Sequence, residues 1–278
     1  MTFEKQMDEF LSQQNGYEKI GISIREIGGS FSYERNQDDF MPTASTMKVF
    51  VLGALIKKCE RGEEDLNRLV TIHEDKFYPG SGVLKYLSDG ISITVKDLMM
   101  LMIILSDNSA TNLCIDLLGG TEAVNDHIRE TGVKNAGVYR KVYDTSPNPE
   151  KKKLAEVTPR AFTDYLICMR TTDYLNPDSK KLFFRMLEKQ QFKNMFARYM
   201  PLEDFTDDGC VKVMSKTGYS GGTRCDTGII IGPDKREYAY AIQVSGSKDE
   251  SYSYDNKTYL MMAEMGRIFY DTVLEGKK

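Results

Sequence analysis

Histidine is almost absent from this chain: His73 and His127 are the only two in 278 residues, and neither stands near a second candidate ligand in sequence. A zinc site is therefore not expected, and both read as surface or core-edge residues. Cysteine is sparse and unpaired in pattern, with five residues at 59, 114, 168, 210 and 225 and no Cys-x-x-Cys. An odd set without that spacing argues against a disulfide framework and for reduced, packed thiols. Long apolar runs are missing too. The longest, Leu98 to Leu105, spans eight residues, far short of the roughly 18 that cross a bilayer, so no membrane segment is expected. Basic excess is lacking: the formal net charge is −4, and Lys151-Lys152-Lys153 is the single dense basic run. That run reads as a solvated loop, and nucleic acid is not an expected partner. The first ten residues have neither a basic n-region nor a continuous apolar h-region. They do not read as a signal peptide; the expectation is a cytoplasmic protein as the chain stands, or a secreted or cell-surface one if a leader was removed.

What is present suits a large globular core, with 41% apolar and 28% charged residues. Periodicity predicts a helix near 2–14, strands near 19–26 and 31–35, helices through most of 46–200, strands near 211–217, 226–232 and 237–245, and a closing helix over about 257–274. Strands at both chain ends with helices between them predict an α+β fold. An α/β lobe comes from residues 1–41 and 206–278, an all-α lobe from residues 42–205 is inserted into it, and the active site lies between them. There is no internal repeat or low-complexity tract.

Three short motifs carry chemistry. Ser45-Thr46-Met47-Lys48 puts a hydroxyl and an amine one helical turn apart, on one face, at the start of an apolar helical run. Serine at its free pKa is a poor nucleophile and needs such a base. A Ser-x-x-Lys occurs about once by chance in a chain this long, and Ser245-Gly246-Ser247-Lys248, at a strand end, reads as a decoy. Ser106-Asp107-Asn108 follows between two apolar helical patterns, and Lys216-Thr217-Gly218 ends an alternating strand pattern. Taken singly, the second is also a good helix N-cap and the third a strand end with a turn glycine.

In this order the three resemble the signature of class A β-lactamases and penicillin-binding proteins, and the resemblance runs from about Phe31 to Tyr270. It implies an antiparallel sheet of about five strands covered by terminal helices, no cofactor and no metal. It implies Ser45 as nucleophile and Lys48, kept partly neutral by burial and by Lys216, as its base. Ser106 would relay a proton to the leaving nitrogen, and Asn108 would hold the substrate's amide side chain. Thr217, with the charge of Lys216 and next to Gly218, would bind a substrate carboxylate. The backbone N–H groups of Ser45 and Tyr219 would form the oxyanion hole. Arg224 reads equally as a second carboxylate ligand or as a structural salt bridge to Asp226 or another acid.

One departure stands out. Members of class A hydrolyse the acyl-enzyme with a glutamate in Glu-x-x-Leu-Asn, between the second and third motifs. Here that string, Glu63 to Asn67, precedes Ser106 and reads as a solvated loop, while Val142 falls where the glutamate is expected. Asp144 is the nearest acid, with Glu150 and Glu156 as weaker candidates. Acylation is thus predicted more firmly than turnover. The candidate functions are a β-lactamase-like hydrolase with slow deacylation, a D-alanyl-D-alanine-type peptidase or esterase, a β-lactam or peptidoglycan sensor acylated once, and a binding module with incidental motifs. The partner is a small β-lactam, peptide or ester; nothing in the sequence fixes an oligomeric state.

Overall fold

Three nine-residue strands, β8 (Lys212–Ser220), β9 (Thr223–Ile231) and β10 (Glu237–Ser245), are buried along nearly their whole length. Burial on both faces means that even their polar residues, Lys216, Thr217, Arg224 and Asp226 among them, are enclosed. In the computed structural model, which describes residues 1–144, 153–203 and 210–276, they join β1 (Lys19–Glu26) and β2 (Ser32–Arg35) in one sheet. Its order is β2-β1-β10-β9-β8, with antiparallel pairing throughout. The fold is α+β, as expected. The boundary expected at 205/206 and the candidate residues Glu150, Lys151 and Lys152 lie outside the described residues.

Strand parity separates two cores. Tyr238, Tyr240 and Ile242 point into one with Phe3, Met7 and Leu11 of α1 (Phe3–Ser12). Helix α8 (Lys257–Phe269), capped by Asn256, packs there as well. Ala239, Ala241, Met214 and Ile229 point into the other core. That core is built by α2 (Lys48–Glu60), α3 (Val95–Ile104), α4 (Asn108–Leu118), α5 (Thr121–Glu130), α6 (Pro159–Thr171) and α7 (Pro177–Glu188). Nine consecutive residues of α2, Lys48 to Ile56, are buried, so this helix is apolar all round and runs through the interior.

Two small sheets interrupt the stretch expected to be mostly helical. The short strands β3 (Met41–Pro42), β6 (Ala136–Val138) and β7 (Ala155–Val157) pair as β3-β7-β6, and β4 (Leu69–Ile72) pairs with β5 (Ile91–Thr94). Runs of two to four residues are too short for a periodic signal. Met195, Phe196 and Ala197, assigned from sequence to the all-α lobe, pack in the core beneath α1 and α8.

Candidate active site

A 3-10 turn over Ala44–Met47 leads directly into α2 and carries Ser45. Ala44 has φ of 44°, a left-handed conformation that an L residue adopts only under constraint from its surroundings. Ser45 lines a cavity of about 820 Å³, and its Oγ makes no hydrogen bond among the described residues. Strand β8 presses on this turn at Gly218. A Cβ there would stand 2.7 Å from the Thr43 carbonyl, 2.8 Å from Ser45 N and 2.9 Å from Thr46 N. Those neighbours are backbone and cannot yield, so the glycine is required for space and not for its φ. Gly218→Ala is expected to push β8 off the turn, costing about 1–3 kcal/mol of stability and slowing acylation at least about tenfold. Thermal melting together with the rate of Ser45 adduct formation checks this, and wild-type values in both would show that the strand has room.

Lys48 is fully buried. Its Nζ donates to the Ser106 carbonyl (2.8 Å), to Ser106 Oγ (3.1 Å) and to Asn108 Oδ1 (3.1 Å). The amine therefore reaches the second motif and not the Ser45 hydroxyl, which the i, i+3 spacing alone suggested. Burial lowers its pKa to about 7, against an opposing pull from the Asp107 carboxylate. Burial alone lowers it; the repulsion by Lys216 expected from sequence is not among the causes, and the effect runs the other way, from Lys48 onto Lys216. The ammonium form fills all three acceptors; loss of one proton near neutrality leaves a lone pair on the amine at the start of α2, next to the Ser45 turn.

Ser106 sits between α3 and α4 with φ of 55°, and this strained turn holds its hydroxyl and carbonyl on the Lys48 amine together. Asp107 caps α4 through Ala110 N (3.0 Å), and its other oxygen accepts from Val83 N (2.7 Å) and Leu84 N (2.9 Å). Asn108 donates from Nδ2 to the Pro79 carbonyl (2.9 Å), while its backbone N–H donates to Ser81 O (3.0 Å). The motif is therefore an N-cap as well as the set of acceptors that holds the Lys48 amine. Through Asp107 and Asn108 it ties the Pro79–Leu84 edge of the cleft to the Lys48 network.

Lys216 is fully buried, with Nζ donating to Thr217 O (2.7 Å). Burial first, and then the charge of Lys48, push its pKa well below the usual lysine range, opposed by Asp226. The Thr217 hydroxyl is buried without a hydrogen-bond partner, an orphan of the kind that a bound ligand satisfies. Tyr219 lines the cavity; its hydroxyl lies 3.2 Å from Ser81 Oγ, and its ring meets Tyr252 edge-on at 5.3 Å.

Arg224 is held by main-chain carbonyls, and no ion pair to Asp226 forms among the described residues. Its guanidinium donates to the carbonyls of Gly221 (2.5 Å), Thr223 (2.8 Å) and Ser251 (2.8 Å) and lies over the rings of Tyr252 and Tyr259. Those carbonyls engage both terminal nitrogens, so it braces the β8–β9 turn against the loop before α8, while its Nε is buried without a hydrogen-bond partner. Asp226 is engaged elsewhere, accepting from Tyr240 Oη (2.9 Å) and Phe196 N (3.2 Å).

Val142 and Asp144 both line the cavity with Ser45. The backbone of Val142 is clamped at two points by Asn112, which accepts from its N–H and donates to its carbonyl, each at 2.9 Å. Sequence reasoning missed Asn112, although a polar residue four positions after Asn108 on the same helix face was the available signal. Glu64, from the misplaced string, pairs with Arg68 at 2.6 Å, away from the cleft. His73 is exposed and pairs with Asp89, whereas His127 is buried between the hydroxyls of Tyr165 (2.9 Å) and Tyr174 (2.8 Å). Burial pushes its pKa down to about 3.

Residues 2–273 match the beta-lactamase enzyme family. The chain is 24% identical to beta-lactamase BRO-1 of Moraxella catarrhalis over 256 residues, covering 91% of this chain and 79% of that protein. It is 26% identical to a beta-lactamase of Bacillus licheniformis over 264 residues, covering 90% and 79%. Among solved structures, a beta-lactamase from Sphaerobacter thermophilus superposes with a TM-score of 0.83 at 26% identity, covering 97% of this chain and 96% of that one. PBP-A superposes at 0.81 with 22% identity, covering 97% and 95%. With Ser45 lining the cleft, the buried Lys48–Ser106–Asn108 network behind it and the match extending over nearly the whole chain, the protein belongs to the beta-lactamase enzyme family and is a β-lactamase-like serine hydrolase.

Proposed function

We propose that the enzyme opens β-lactam rings through an acyl-Ser45 intermediate that it releases slowly. The observation that carries this reading is the buried Lys48 amine, poised near neutrality and hydrogen-bonded to Ser106 Oγ one turn from an accessible serine. Neutral Lys48, whose amine rests on Ser106 and Asn108 before substrate binds, turns to the Ser45 hydroxyl and takes its proton as Oγ attacks the lactam carbonyl. The developing oxyanion is met by the N–H groups of Ser45 and Tyr219, whose strand lies against the Ser45 turn at Gly218. The C–N bond then breaks. Ser106 gives its proton to the leaving nitrogen and recovers one from Lys48, returning that amine to neutrality. The orphaned Thr217 hydroxyl and the Lys216 amine receive the substrate carboxylate; binding an anion there favours the protonated amine.

Water must then cleave the ester, and Val142 brings no base to the position expected for one. That apolar side chain favours a second reading, a D-alanyl-D-alanine-type peptidase acylated by the same machinery, for which a β-lactam is a slowly released pseudo-substrate. An intact-mass time course with a penicillin and a cephalosporin, with peptide mapping, tests both. A transient Ser45 adduct with accumulating product is the result expected of a β-lactamase. A stable adduct favours the peptidase or a sensor, and no adduct on Ser45 overturns acyl transfer to β-lactams.

A further inference from the structure

The segment between β6 and β7 brings a cation into the cleft that the reaction above does not use. Arg140 lines the same cavity as Ser45, Asn108 and Val142. Its backbone is held on one side by the Leu154 carbonyl, and two residues on the chain is fastened by the Asn112 clamp. The side chain is therefore presented from an anchored wall. Nη1 donates to the Asp144 carbonyl at 3.2 Å, whereas Nε is shielded from solvent and has no hydrogen-bond partner. Among the described residues no carboxylate pairs with this guanidinium. Buried donors are nearly always satisfied, and a planar guanidinium in a concave site is suited to a carboxylate, which it can engage through two parallel N–H groups.

Position decides which part of a substrate would meet it. Arg140 shares the cavity lining with Asn108, the residue expected to hold the acyl side chain, whereas Thr217 and Lys216, expected to receive the carboxylate on the leaving-group side, belong to β8 and are not part of that lining. Asp144, whose main-chain carbonyl accepts from Arg140 Nη1, lines the same cavity. Lys141, between them in sequence, is paired with Asp116 at 2.7 Å.

We propose that Arg140 is a specificity residue that binds an anionic group on the acyl side of the substrate, so that the preferred acyl donor carries a side-chain carboxylate. This rests on the acyl-transfer reading for its orientation, but binding tests it independently of chemistry. Ser45→Ala protein is titrated by calorimetry with benzylpenicillin and with its α-carboxybenzyl counterpart, which differ by one carboxylate. The expected result is about tenfold tighter binding of the carboxylated ligand, the order for a charge-assisted hydrogen bond at a partly open site. Adding Arg140→Gln removes the preference, and Arg140→Lys retains part of it. Equal affinities, or a preference that survives Arg140→Gln, overturn the inference. The wild-type adduct on Ser45 judges acyl transfer separately, so discrimination without acylation would sink the reaction and leave the subsite standing.

Discussion

Replacing Lys48 by alanine is expected to slow acylation of Ser45 by about 10²–10⁴-fold, the usual contribution of a positioned general base. The same residue sets the pH profile of the wild-type enzyme. Its amine has a pKa of about 7 because it is buried. Only the neutral form accepts a proton, so acylation should rise as pH increases through about 7 and level off above it. The amine is protonated below that point, and the rate should fall about tenfold per pH unit. Lys48→Ala should abolish this ascending limb as well as lower the plateau, and Ser45→Ala should abolish the adduct altogether. Adduct formation followed by intact mass between pH 5 and 9 reads both. A limb that persists in the alanine variant would assign the titration to another group and remove Lys48 as the base.

Val142→Glu is expected to shorten the acyl-enzyme lifetime by about 10²–10⁴-fold while leaving acylation within a few-fold of wild type. Three observations support this. Val142 lines the cavity that contains Ser45. Its backbone is pinned at both N–H and carbonyl by Asn112, so a new side chain would project from a fixed origin. The valine also packs against the edge of the helical core, so the carboxylate would sit beside apolar surface that raises its pKa toward the range of a working base. Some melting temperature should be lost with the apolar contact. Chasing a preformed penicillin adduct measures the lifetime. If it is unchanged, the carboxylate does not reach the water, and Asp144, in the same cavity lining, becomes the residue to test. Asp144→Asn slows release only if Asp144 already performs that task.

Much of the fold was legible because its signals are local. Lys19–Glu26 and Glu237–Ser245 read as strands over the same residues that form β1 and β10, since apolar runs bounded by turn residues need no partner to be recognised. Two- and three-residue strands such as β3 and β7 were not readable: their pairing depends on segments more than a hundred residues apart. Arg224 shows the same limit at the level of a side chain. Both sequence readings gave it an acid as partner, but the turn at Gly221 and the loop at Ser251 brought three carbonyls to it.

The sequence by itself supplied the candidates: Ser45, Lys48, Ser106 and Lys216 in three motifs of fixed order, and a valine at 142 where a glutamate was expected. Residue types at fixed short spacings carry that information without a fold. Tertiary structure alone decided how those groups are used. It buried Lys48, turned its amine onto Ser106 and Asn108, and lowered its pKa, because desolvation depends on what packs around a charge and not on its neighbours in sequence. It also made Gly218 a requirement of contact between β8 and the Ser45 turn, and it placed Arg140 in the cavity lining with no carboxylate on its guanidinium among the described residues. Such contacts join residues from distant parts of the chain, and only the folded molecule brings them together.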